Sequence, residues 1–115
     1  MRSANILVVD DSKDIHVLIK LALMKVADLK INFFTEGAIA REAVLGLAPD
    51  LVLLDVRMPT WDGKRTFNEL RAVGYKGPVI FLTAEDGEAE ALLALGASKV
   101  VHKPFPPDDL LDMLS

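Results

Sequence analysis

The reading of this chain turns on nine residues, Leu51-Val52-Leu53-Leu54-Asp55-Val56-Arg57-Met58-Pro59. Four consecutive apolar residues describe a strand buried on both faces. The strand runs into a carboxylate at Asp55, and Pro59 closes the segment. Such a strand delivers its acid to one edge of a sheet. In open α/β sheets the chemistry lies outside the carboxyl ends of the strands. What else reaches that edge decides what Asp55 can do.

Working outward, the same pattern recurs. Asn5 to Val9 is a short, β-branched apolar run that ends at Asp10-Asp11. Ser12 or Asp14 is placed to cap a helix, on which Ile15, Leu18, Ile19, Ala22, Leu23 and Val26 recur at helical spacing. Lys30 to Phe34 reads as a second strand and Thr35-Glu36-Gly37 as a turn. Ala38 to Leu47 reads as a helix with Arg41 and Glu42 outward, broken by Ala48-Pro49-Asp50. Beyond the central strand, Thr60 to Gly63 is a loop. Phe67, Leu70 and Val73 mark a third helix that Gly74 closes. Val79 to Leu82 is a buried strand ending at Thr83. Glu85 to Leu95 reads as a fourth helix with Gly96 as its C-terminal cap. Ser98 to His102 is a fifth strand ending at Lys103. Pro106-Pro107-Asp108-Asp109 has the composition of a helix start. Five alternations of strand and helix imply a parallel sheet with helices on both faces, restricted by right-handed crossovers to a few topologies.

Composition narrows the function. The 115 residues suit one domain, and at 51% hydrophobic the chain is not a disordered one. A formal charge of −4 with both signs dispersed argues against a nucleic-acid surface. The absence of cysteine removes disulfides, thiolate metal sites and cysteine nucleophiles. No apolar run approaches the roughly 20 residues of a membrane span, and Arg2 leads directly into a strand-like segment rather than a signal sequence. The expectation is a cytoplasmic domain.

The strand ends collect a specific set of groups: Asp10 and Asp11, then Asp55, Thr83 and Lys103. Taken singly, each is ordinary: a capping turn, a solvated acid, a turn hydroxyl, a surface lysine. In order, each after a buried run, they describe one site. Three converging carboxylates repel unless a cation is present. Mg²⁺ suits them as a hard ion that takes oxygen ligands and keeps waters. A metal, an ammonium and a hydroxyl aimed at one spot stabilise a phosphoryl group, and a free Asp oxygen at its centre is a nucleophile.

These residues resemble the receiver domain of two-component response regulators. The resemblance is carried by Val8-Val9-Asp10-Asp11-Ser12, by Leu53 to Pro59 with Asp62-Gly63, by Phe81-Leu82-Thr83-Ala84, by Leu95-Gly96-Ala97 and by Lys103-Pro104-Phe105. It extends over nearly the whole chain and implies a single receiver domain over residues 1–115 with no output domain in it. The implied fold is flavodoxin-like (βα)5, a three-layer sandwich on a parallel five-stranded sheet of order 2-1-3-4-5. Asp55 is then the phosphoacceptor. Asp10, Asp11, Asp55 and the backbone carbonyl of Arg57 would bind Mg²⁺, Thr83 and Lys103 would contact the phosphoryl group, and Lys103-Pro104 would be a cis peptide. The implied partners are a histidine kinase or phosphotransfer protein as donor, with acetyl phosphate as a small substitute, and an output protein or domain that the sequence does not name. Neither nucleic acid nor membrane is a direct partner. The implied catalysis is confined to the domain's own phosphorylation and dephosphorylation, so the chain is not a turnover enzyme.

Three features depart from the family pattern. Val100 stands where receivers usually carry an aromatic switch residue, and valine has one χ angle and little reach. The expectation is an output that does not use a large aromatic swing. Lys103 follows Thr83 by 20 positions, a couple fewer than usual, so the fourth helix or its lead-in is shortened. The last helix has room for about two turns before Ser115, as expected of a domain trimmed from a larger protein or of a single-domain regulator with a short tail. Arg57 and Glu85 lie two positions after Asp55 and Thr83, where receivers tune phosphoryl lifetime, and they are expected to pair across the site mouth. Trp61 is expected to be partly buried against the next helix, and His102 to be a surface residue. The alternative function is a degenerate receiver that acts as a phosphorylation-independent interaction module. An aspartate-nucleophile phosphatase would have a second acid at position 57, where the chain has arginine. A flavin carrier is disfavoured by acids that would repel the flavin phosphate.

Overall fold

A computed structural model describes residues 4–23, 29–84 and 87–103. Its elements alternate: β1 (Ala4–Val9), α1 (Lys13–Leu23), β2 (Leu29–Phe34), α2 (Gly37–Leu47), β3 (Leu51–Asp55), α3 (Gly63–Ala72), β4 (Val79–Thr83), α4 (Ala89–Leu95) and β5 (Lys99–His102). The five strands are all parallel, in the order β2-β1-β3-β4-β5. This is the flavodoxin-like arrangement. The expected last helix, Val26 and the Lys103-Pro104 peptide lie outside the described residues.

The apolar run at positions 51–54 lies at the sheet's centre, and all five residues of β3 are buried. Alternating side chains divide the strands between two cores. On one face Leu7, Val9, Val52, Leu54, Val79 and Phe81 pack with Ala40, Val44, Phe67, Leu70 and Leu92 of α2, α3 and α4. On the other, Ile6, Val8, Leu51, Leu53, Ile80 and Leu82 pack with Ile19, Ala22 and Leu23 of α1. Each fully buried Leu, Ile or Phe here contributes about 1.5–3 kcal/mol of transfer free energy. The central strands are therefore rigidly held, and their carboxyl ends are fixed relative to one another.

Local chemistry sets most element ends close to where the sequence puts them. Ser12, rather than Asp14, caps α1: its Oγ accepts from the Ile15 amide at 3.4 Å, a long bond. Asp62 caps α3 more tightly, accepting from the Arg65 amide at 2.8 Å. The helix α2 ends at Ala48 in the left-handed region (φ 47°), and Pro49, next in line, cannot continue it. The fourth helix differs from expectation. It starts at Ala89 and not at Glu85, because Gly87 has φ 92°, which no helical backbone adopts. Glu85 itself lies outside the described residues.

One glycine sets the approach of α3 to the central strand. A Cβ at Gly63 would overlap the Asp55 carbonyl oxygen and lie 2.8 Å from Val56 Cα, while the Gly63 amide donates to the Val56 carbonyl at 2.8 Å. The loop over residues 56–62 is thereby drawn down onto the end of β3. Gly46, inside α2, has nothing within 4 Å of its would-be Cβ. Opposite outcomes are expected. Gly63→Ala destabilises the fold by about 1–3 kcal/mol through overpacking. Gly46→Ala stabilises it by about 0.5–1 kcal/mol through helix propensity. Urea midpoints of the two variants measure both.

Candidate functional site

The sheet brings the expected residues to one edge. Asp10 follows β1, and its amide donates to the Phe34 carbonyl of β2 at 2.9 Å. Asp55 ends β3 and Thr83 ends β4, both buried. Lys103 follows β5, and its amide donates to the Thr83 carbonyl at 2.7 Å. Register places Asp55 opposite Leu82 and Thr83 opposite His102. Parallel pairing thus converts residues up to 93 positions apart into neighbours.

The Lys103 ammonium binds both buried acids. Its Nζ lies 2.7 Å from Asp10 Oδ2 and 3.1 Å from Asp55 Oδ1. Asp10 is wholly buried, and its Oδ1 also accepts the Ser12 amide at 2.9 Å. Asp11 is exposed. One oxygen from each of Asp10, Asp11 and Asp55 falls within 4.8 Å of the others. These donors are all hard carboxylate oxygens, two shielded from water and one facing it. That set fits a Mg²⁺ ion that keeps part of its hydration shell.

Electrostatics distinguish Asp55 from an ordinary acid. Burial, and then the neighbouring Asp10 charge, push its pKa up to about 6. The charge and hydrogen bond of Lys103 and a backbone hydrogen bond from Arg57 oppose this without cancelling it. Burial pulls the Lys103 pKa down, but the hydrogen bond and charge of Asp10, followed by those of Asp55, leave it raised overall. The lysine stays an ammonium throughout the working range, and Asp55 is the group held at a cost.

The remaining expected residues surround this centre. Arg57 is exposed beside it, and its guanidinium lies 3.2 Å from Glu88 Oε1. The partner expected for it, Glu85, lies outside the described residues. Glu88 was not singled out in the sequence; an acid just before an Ala/Leu helix reads as a cap, yet it makes no side-chain capping bond here. Val100 is half-buried against the core that contains Phe81 and Phe67. Trp61 is half-buried as expected, with the Arg65 guanidinium 4.5 Å from its ring centroid. His102 is exposed at the end of β5. Among the described residues, no helix is long and apolar enough to cross a membrane.

A pH dependence follows for the metal-free protein. The folded pKa of Asp55 is above its unfolded value, so between about pH 4 and pH 6 the folded state binds the extra proton. Stability from this group is therefore highest below pH 4 and falls as pH rises through 6. Asp55→Asn is expected to flatten that slope and to raise stability at pH 7 by on the order of 2 kcal/mol. Denaturant unfolding at a series of pH values in chelator shows it; an unchanged slope in the variant contradicts the assignment to Asp55.

Comparisons with known proteins agree with this geometry. Residues 6–115 match the family described as the response regulator receiver domain. The transcriptional regulatory protein RstA of Escherichia coli K12 is 37% identical over 111 residues, covering 95% of this chain and 46% of that protein. QseB of E. coli O157:H7 is 36% identical over 102 residues, covering 87% of this chain and 46% of the relative. The chain thus spans about half the length of the curated relatives it matches. The BeF3-activated N-terminal receiver domain of Klebsiella pneumoniae RstA superimposes with a TM-score of 0.85 at 34% identity, covering 96% of this chain and 94% of that one. The Vibrio cholerae chemotaxis protein CheY4 does so at 0.88 and 28% identity, covering 98% and 97%. With the fold and the strand order in agreement and residues 6–115 matched, the chain belongs to the response regulator receiver domain family.

Proposed function

We propose that this domain is a phosphorylation-driven switch in which Asp55 is the phosphoacceptor. The observation that carries the reading is the Lys103 ammonium bridging two buried carboxylates beside a third, exposed one. An Asp55 oxygen attacks the phosphorus of a phosphohistidine on a sensor kinase or phosphotransfer protein. A P–O bond forms, the P–N bond breaks, and the imidazole keeps the electron pair. Acetyl phosphate reacts likewise with acetate as leaving group. Asp10, Asp11, Asp55 and the Arg57 carbonyl would hold a Mg²⁺ ion, which would supply positive charge against the phosphoryl oxygens.

The chain's own groups do the rest. Burial at the end of β3 excludes bulk water from the nucleophile, and the surrounding strands hold it in place before any donor arrives. Lys103 neutralises charge on the phosphoryl oxygens, as it does on Asp55 in the resting site. Thr83, at the adjacent strand end, offers a hydroxyl donor. The new contacts bias the domain between two states, and a partner protein or fused output domain reads the difference. RstA and QseB are named transcriptional regulatory proteins, so a transcriptional output is one such reader. Turnover is limited to formation and hydrolysis of the domain's own acyl phosphate, in the cytoplasm.

Incubation with Mg²⁺ and acetyl phosphate, followed by intact-mass measurement, tests this. One HPO3 group is expected on the wild type, and none on Asp55→Asn or in chelator. A wild type that takes up no phosphoryl group leaves the phosphorylation-independent interaction module as the function.

A further inference from the structure

Glu88 is built into an unusual position. It immediately precedes α4 but turns its side chain away from the helix start, toward Arg57. Its Oε1 meets the guanidinium at 3.2 Å, while its Oε2 is buried with no hydrogen-bond partner among the described residues. The carboxylate is thus only half satisfied. Arg57, by contrast, is 65% exposed and sits two residues after Asp55, and its backbone already donates to the Asp55 carboxylate. The helix that Glu88 leads is short, seven residues, with Leu92 its only buried side chain. Gly87, just before it, has the φ of 92° that permits a sharp change of direction.

Resting on the proposed phosphoacceptor role of Asp55, we propose that Glu88 is a positioning residue for the phosphoryl chemistry. Glu88 holds the Arg57 guanidinium off the phosphoryl group, and the charge of that group then draws Arg57 away and releases the start of α4. A phosphoryl group brings close to two negative charges and three strong acceptors. The planar guanidinium matches such oxygens bidentately, whereas it makes one ordinary contact with Glu88. Once Arg57 turns, Glu88 keeps a partly buried charge without its counter-ion, a state relieved by moving into water. The motion pivots at Gly87 and carries Ala89 with it. This route joins the phosphorylation site to the α4 surface without any aromatic at position 100.

The test compares wild type, Glu88→Gln, Arg57→Gln and the double variant, each phosphorylated with acetyl phosphate and Mg²⁺. Two readouts are taken: decay of the intact-mass adduct after donor removal, and amide hydrogen exchange across residues 89–95. In Glu88→Gln the adduct is expected to decay about two- to fivefold more slowly, the range of an exposed ion pair, because Glu88 no longer competes with the phosphoryl group for the Arg57 guanidinium. Unphosphorylated Glu88→Gln is expected to show the faster α4 exchange that the wild type shows only when phosphorylated. In the Arg57→Gln background the Glu88 substitution changes neither readout. Adduct decay in Glu88→Gln equal to wild type, or a Glu88 effect that persists undiminished without Arg57, overturns the inference while the phosphoacceptor reading stands. A wild type with no adduct overturns both.

Discussion

The Lys103 ammonium between Asp10 and Asp55 is the interaction on which the rest of the site depends. Two carboxylates at the ends of buried strands cannot both stay ionised in a water-poor pocket without a counter-charge. Lys103 supplies it from the edge strand and so ties β5 to β1 and β3 across the sheet's open end. The tie is incomplete. Asp55 retains a pKa of about 6 even with the ammonium beside it, so negative charge remains under-compensated there. That deficit of positive charge is what suits the three carboxylates to a further cation.

The architecture supplies rigidity where the chemistry needs it and leaves freedom where signalling needs it. β3 and β4 are buried along their whole lengths, so Asp55 and Thr83 have little latitude. Gly63 lets α3 press its first turn against the Asp55 carbonyl, and the Asp62 cap fixes that turn. On the other side of the site, β5 is exposed or half-buried throughout, and α4 is anchored by one buried leucine. Low-stability elements are where conformational change is drawn from. The sheet's asymmetry therefore points any response toward α4 and β5.

Much of this was legible in the sequence, and for identifiable reasons. Apolar runs such as 51–54 and 79–82 announce buried strands, and the residue that follows each run is the one placed at the edge. Strand order is not encoded locally, since β1 pairs with both β2 and β3 across long separations; it was implied only by family resemblance. The start of α4 is less legible. Glu85 looks like the first residue of an Ala/Leu/Glu helix, but the positive φ of Gly87 is a backbone property that composition does not reveal. The contact of Glu88 with Arg57 is hidden for a similar reason. Its spacing from Arg57 follows no helical or strand period, and only the tertiary fold brings the pair to 3.2 Å.

Val100 is where family pattern and physical constraint part company. It sits opposite Phe81 in the β4–β5 register, packed half-buried against the core. That core already holds Phe81 and Phe67 in tilted contact, with ring centroids 5.8 Å apart. A valine has one χ angle and no ring to withdraw, so rotation at position 100 neither opens nor fills an aromatic-sized space. Communication from the acidic edge to the surface must then travel by elements that can move as units. The seven-residue α4, joined to the Asp55 loop through Arg57 and Glu88 and preceded by Gly87 at φ 92°, is suited to that. A charged contact would also suit such a signal, because what a phosphoryl group on Asp55 would change is chiefly charge, and an ion pair responds to charge without any repacking of the core.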